Sequence, residues 1–220
     1  MKIMNKKKLI LLLLMFVAGI TLIFILFNYQ NTSSKRPKDK SSLSSQIQST
    51  VDQDGDGIDD DTDILSNALT YVDTHPKYKS KYYQTGYPND NYGVCTDVVA
   101  FAMKNSGYDL KELMQEDIAK HPEDYDIIEP DPNIDFRRVK NLYVYFQHTA
   151  INLTTDITEY KEWQGGDIVV FKHHIGIISD RRNSRNIPYV IHHNDCWQKH
   201  YEEDILEKRN DIIGHFRISQ

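Results

Sequence analysis

The chain opens on an apolar block and only later becomes periodic. "LILLLLMFVAGITLIFILF", Leu9 to Phe27, carries no charge. As a helix it would rise about 28 Å, close to the roughly 30 Å of a bilayer's hydrocarbon core. "NTSSKRPKDKSSLSSQIQST", Asn31 to Thr50, is rich in Ser and Lys and poor in large apolar side chains, the composition of a flexible tether. Helical stripes follow. Ile64, Leu65, Ala68, Leu69 and Val72 share a face in "TDILSNALTYVDTH". Val98, Val99, Phe101 and Ala102 do so between Cys95 and Ser106, with Gly107 as the stop, and Leu110, Leu113, Met114 and Ile118 repeat the pattern before Pro122. A fourth, shorter helix is expected in "FRRVKNLYVYFQHT". The last third changes period: "GGDIVVFK", "HHIGIISD", "IPYVIHHN" and "DIIGHFRIS" read as strands, with "RRNSRN" as a turn. Helices followed by a mainly antiparallel sheet make an α+β layout. The expected organisation is an anchor at 1–30, a linker at 31–50, an acidic loop at 51–63 and a domain at 64–220.

A cleaved signal peptide would have a shorter apolar region and a small-residue cleavage site, and nothing of that form follows Phe27. The span therefore reads as an uncleaved anchor; cleavage to a secreted form is the alternative. Lys6, Lys7 and Lys8 abut the span, with Lys2 before them, while Lys35, Arg36, Lys38 and Lys40 lie beyond it. The positive-inside rule gives a cytoplasmic N-terminus and an extracytoplasmic domain. With 40% hydrophobic residues and net charge −6, the chain suits one globular domain and lacks the basic, aromatic-interleaved patch of a nucleic-acid binder. Two cysteines cannot build a disulfide framework.

"DQDGDGIDDDTD", Asp52 to Asp63, sets carboxylates at loop positions one, three, five, nine and twelve, with Gly57 at six. Ca²⁺ takes six to eight oxygens, and such a ladder can wrap Asp52, Asp54, Asp56, Asp60, Asp63 and the Ile58 carbonyl about one ion in a structural role. Thrombospondin-type and dockerin-like loops resemble it. A solvated acidic turn capping the next helix is the alternative.

Cys95, in "YGVCTDVVAFAM", falls at a helix N-terminus, where the dipole and free N–H groups lower a thiol pKa. A nucleophile also needs a base and an orienting group. Histidines gather on the strands: His173, His174, His192, His193 and His200. Because alternate strand residues share a face, one member of each adjacent pair can point at the thiol.

This arrangement resembles the papain-like bacterial cell-wall hydrolases of the NlpC type, through "GVCTDVV", "GGDIVVFKHHIGIISD" and "YVIHHN". The wider pattern, including "EPDPNIDFRRVKNL", is similar to a bacterial family known as domain of unknown function 1287, over nearly all of Asp63 to Ser219. The resemblance implies a papain-like fold with Cys95 as nucleophile, His174 as base and His192 as orienting group; His193 and Asn194 are fallbacks. One departure stands out: NlpC-type enzymes usually have Asp-Cys-Ser-Gly, where this chain has Val94-Cys95-Thr96-Asp97.

Arg137 and Arg138 are candidates for gripping a substrate carboxylate, against an ion pair with Asp135. Tyr82, Tyr83 and Tyr87 are candidates for lining a cleft, against packing over a core edge. The functional expectation is an extracytoplasmic, membrane-anchored cysteine amidase or peptidase acting on peptidoglycan peptides, with no cofactor needed for catalysis. Two other readings stand beside it. One is a zinc module built on His192, His193, Cys196 and His200. The other is a non-catalytic wall-binding domain with a Cys95–Cys196 disulfide. His215 is left unassigned.

Overall fold

The structure, a computed structural model, describes residues 5–28, 30–42 and 49–219. It divides into two units, Met1–Asn31 and Thr32–Gln220. The first contains α1 (Lys6–Asn28), and its Lys6–Leu26 stretch is, among the described residues, the one helix long and apolar enough to cross a membrane. A signal sequence passes the same criterion. Lys2 lies outside the described residues.

In the second unit, α2 (Asp60–Asp73) begins where the Asp59 carboxylate accepts the Thr62 N–H at 3.1 Å. Its stripe of Ile64, Leu65, Ala68 and Val72 is buried. Two short parallel strands, β1 (Lys77–Tyr78) and β2 (Tyr92–Gly93), deliver the chain to α3 (Cys95–Asn105). Helices α4 (Leu110–Lys120) and α5 (Val139–Thr149) complete this layer. A sheet follows: β3 (Ile151–Asn152), β4 (Ile168–Phe171), β5 (His174–Arg182), β6 (Pro188–Ile191), β7 (Glu202–Glu203) and β8 (Ile212–Arg217). The spatial order is β3-β8-β4-β5-β6-β7, with every pair antiparallel.

Both faces of the central strands are covered, so β4 reads as an unbroken apolar run. Ile168, Val170, Ile175, Ile177 and Ile191 pack with Val98, Val99 and Ala102 of the helical layer. Val169, Phe171, Ile178 and Val190 face the other way, onto Trp163, Ile205 and Leu206. The "GGD" before β4 is a brace. Asp167 accepts from Arg217 Nε and Nη2 at 2.7 and 2.9 Å and lies 2.9 Å from His215 Nε2, while Trp163 stacks on the His215 ring. Gly166, at φ +95°, passes so close to Asp61 that a Cβ would sit 2.2 Å from its carbonyl oxygen. His215 thus belongs to the core.

The tether expectation is corrected for the residues described. Thr32–Ser42 lies along the domain, with Ser33 in a parallel bridge to His200. Ser33 N–H donates to the Lys199 carbonyl at 2.8 Å, and Tyr201 N–H donates to the Ser33 carbonyl at 3.0 Å. Arg36 forks onto Glu202 at 2.9 and 3.0 Å and also meets Asp180. A polar composition suggested freedom, but these charges match an open strand edge and cover it. Residues 43–48 of the expected tether lie outside the described residues.

Candidate active site: Cys95 and a buried histidine pair

Val94 cannot cap α3 through its side chain, so Asp97 does the work, accepting the Val94 N–H at 2.8 Å. Asp97 is itself held by Arg137, whose Nε and Nη2 donate to its two oxygens at 2.6 and 2.9 Å in full burial. Arg137 Nη1 donates to the Lys81 carbonyl. This explains the departure at Asp97: the carboxylate fastens the tip of the cysteine helix to the 3-10 turn Asp135–Arg137. It also corrects the expectation for Arg137, whose guanidinium is committed to Asp97. Arg138 is half-exposed and 4.0 Å from Asp135. Tyr87 packs against Phe101 and Phe136 and donates its hydroxyl to Asp109, so it supports the core edge and lines no cleft at Cys95. Tyr82 and Tyr83 donate to Asp131 and Asp90.

Cys95 is part-buried and, like Cys196, a free thiol, which removes the disulfide reading. The main-chain N–H of Ile175 lies near enough to its sulfur to favour the thiolate, and the pairing of β5 with β6 stops at Ile177–Ile191, two residues further on. Burial pushes the thiol up to about 11. The N–H of Ile175 favours thiolate, the Asp97 carboxylate opposes it, and the N–H groups of Thr96 and Cys95 favour it again. Desolvation outweighs the helix tip, so the resting group is a thiol, contrary to the low pKa expected from placement alone.

His174, beside Ile175, opens β5. Its Nε2 lies 2.9 Å from His192 Nδ1, with both rings buried. Gly176 makes this possible: a Cβ there would sit 2.6 Å from Val190 Cγ1 and 3.2 Å from His192 Cβ. Burial first, then the neighbouring His192, pulls His174 down to about 2, so it is neutral at physiological pH. His192 Nε2 is 3.7 Å from Glu203 Oε2. Burial alone would raise the Glu203 carboxyl, but His192 and the His200 main chain hold it below its ordinary value. Hydrogen-bond arithmetic then assigns the tautomers. Gln198 Nε2, 3.3 Å from His192 Nε2, has its two hydrogens on the His192 and His200 carbonyls. With the His192 proton on Nε2, facing the Glu203 carboxylate, His192 Nδ1 accepts from His174 Nε2–H and His174 Nδ1 keeps its lone pair. Gln198 fixes the loop after β6, donating to the His192 and His200 carbonyls at 3.1 and 2.7 Å. Its own carbonyl accepts from Thr32 Oγ1 at 3.0 Å.

The fallbacks do not join this pair. Asn194 bonds Asp195. His193 points to the helical face on which Cys95 packs, between Tyr78 and Tyr201, with neither ring nitrogen hydrogen-bonded, while His174 shares the opposite face with Phe171. Burial, and then His192, lowers His193 to about 4. Below its ordinary pKa the unfolded chain takes up a proton that the folded chain refuses, so His193 costs stability as pH falls toward 4. His193→Phe should therefore be neutral or stabilising near pH 7. Its unfolding free energy should also fall less steeply with acid, by about 1.4 kcal/mol per pH unit between about pH 6 and pH 4.5, in urea titrations at each pH.

The zinc reading also loses its geometry. His192 and His193 face opposite ways, His200 is exposed, and no metal-type cluster joins them to Cys196 among the described residues. His173 sits exposed in the β4–β5 turn. In the acidic loop, Asp52, Asp54 and Asp56 bring carboxylate oxygens within 4.8 Å of one another. Asp60 instead accepts from Gln53 N–H and Tyr108 hydroxyl, and Asp63 from Asn67, so the six-ligand ladder reduces to three carboxylates. Sequence reasoning missed Gln198, Glu203, Asp97 as an anchor, and Tyr78. The Tyr78 hydroxyl is raised by burial and then by Cys95, Asp195 and Cys196, which places it in the surroundings of the thiol.

No solved structure matches this chain. The Escherichia coli (strain K12) protein described as "Uncharacterized protein YijF" is 35% identical over 168 residues, covering 70% of this chain and 80% of that one. The family model "Domain of unknown function (DUF1287)" matches residues 65–218, a span that contains Cys95, His174 and His192 but neither Thr32–Ser42 nor the Asp52–Asp56 cluster. The chain belongs to the DUF1287 family.

Proposed function

We propose that this protein is a cysteine amidase or peptidase whose triad is Cys95, His174 and His192, acting outside the membrane on peptidoglycan peptides. The observation that supports it is the buried His174–His192 pair at 2.9 Å, with His174 one residue before Ile175, whose main chain lies near the Cys95 sulfur. A helix-tip cysteine against an antiparallel sheet bearing the base and its orienting group is the papain-like plan. His174 Nδ1 takes the thiol proton as Sγ attacks the amide carbonyl, and the Cys95 N–H helps hold the oxyanion. The resulting imidazolium passes its proton to the leaving amine. His174 then activates a water that hydrolyses the thioester to a carboxylic acid and free thiol. His192, backed by Glu203, orients His174 and stabilises its transient charge. The wall substrate follows from the likeness to NlpC-type motifs and from the N-terminal helix. Incubating the full-length protein with purified peptidoglycan tests it: new amino and carboxyl ends should appear with the wild type and not with Cys95→Ala. Absence of cleavage by the wild type would sink the wall-peptide assignment.

In this reading α1 anchors the domain. The full-length protein should fractionate with membranes and resist high-salt washing; a mature form beginning after Phe27 would mean α1 is a signal sequence. We also assign a structural Ca²⁺ to Asp52, Asp54 and Asp56, on the convergence of their carboxylates. Millimolar calcium should raise the Tm of the wild type by mass action. It should do nothing for Asp54→Asn/Asp56→Asn, and an equal rise in both would leave only an acidic turn.

A further inference from the structure

Helix α4 ends beside α5, and side chains that neither the core nor the Cys95 site uses converge there. Asp117 and His121 are one turn apart on α4, and His121 is its C-cap. The 3-10 turn Pro122–Asp124 brings Asp124 back, and His148 comes from the last turn of α5. Asp117, His121 and His148 can each offer one ligand atom, all within 4.8 Å of one another. The His121 and His148 rings lie 4.8 Å apart.

The hydrogen bonds assign roles. Buried Asp117 accepts from the Tyr125 hydroxyl and lies 2.7 Å from His148 Nδ1, so Nδ1 carries a proton and is fixed in orientation. His148 Nε2 then presents its lone pair to Asp124 Oδ2, 3.4 Å away. That approach calls for positive charge between the two atoms, supplied by a second ring proton or by a bound cation. Tetrahedral coordination with bonds near ~2.0 Å gives a ligand–ligand edge of about 3.3 Å, which this separation matches. A carboxylate on the far nitrogen of a ligating histidine is a recurrent support of metal sites. The geometry points to a site for a zinc-class divalent cation at His121 and His148, with Asp124 beside His148 Nε2 and Asp117, the carboxylate clustered with both rings, positioning His148. Imidazole donors favour zinc, copper or nickel over calcium or magnesium. The ion would clasp the ends of α4 and α5 and shares no residue with the proposed triad.

The test is zinc titration of the full-length, chelator-treated protein in detergent, read as bound metal per chain and as change in Tm. Cys196→Ser/His200→Ala removes competing ligands, the part-buried Cys196 and the exposed His200. One zinc per chain is expected in wild type and in that control. The zinc-dependent rise in Tm should vanish in His121→Ala and His148→Gln, and calcium should not reproduce it. Asp117→Asn should bind about 10–100-fold more weakly. His121 is exposed, so its loss leaves the fold intact. X-ray absorption of the zinc form should report two imidazole ligands. Zinc binding of wild type no tighter than that of His121→Ala and His148→Gln, or no binding at all, would overturn the site and leave an ion-paired histidine.

Discussion

Cys95→Ala should reduce amide hydrolysis to the uncatalysed rate, and His174→Ala should lower kcat by about 10²–10⁴-fold, the usual contribution of a positioned general base. His192→Ala should fall short of His174→Ala, because it frees the orientation of the base without deleting it. The Cys95→Ala/His174→Ala double variant should be no worse than Cys95→Ala, since both serve one step. Cys95 is held up to about 11 and His174 down to about 2. The resting pair is therefore neutral thiol and neutral imidazole, and kcat/KM should be flat from about pH 5 to about pH 9. An acid limb near the ordinary histidine pKa would mean that His174 is more solvated than its burial implies. A pH–rate profile with the released amine as readout decides this.

Arg137→Ala should cost about 3–5 kcal/mol of stability, because it strands the fully buried Asp97 carboxylate without its partner. For a unit of this size that is a Tm loss on the order of 10 °C. Arg137→Lys should recover little, since an ammonium cannot reproduce the two-pronged contact. Thermal unfolding followed by circular dichroism measures both. An Arg137→Ala variant with unchanged Tm and a raised KM would instead restore the role of Arg137 as a substrate grip.

The long elements were legible because their periods are strong. The α2 stripe, the run from Cys95, and the β4 and β5 segments each carry enough apolar positions to declare helix or strand. The two-residue strands β3 and β7 carry no period and could not be read. The candidate site was half legible. Cys95, His174 and His192 could be proposed from motif and spacing, but the reason His192 meets His174 is the missing side chain of Gly176, a tertiary fact. Arg137 was misread because a lone arginine in sequence does not reveal a buried carboxylate forty residues earlier in the chain. Thr32–Ser42 was misread because its hold on the sheet edge depends on Glu202 and Gln198, far away in sequence. The helix-tip argument for Cys95 named a real effect and omitted a larger one, desolvation.

Covalent trapping decides most directly whether Cys95 is the nucleophile and His174 its base. The full-length protein is mixed with an activated ester of an acylated peptide, quenched in acid and peptide-mapped by mass spectrometry. An acyl thioester should appear on Cys95 in the wild type, disappear in His174→Ala and be absent from Cys196. Acylation of Cys196 in place of Cys95, or equal acylation of Cys95 with and without His174, would contradict the triad.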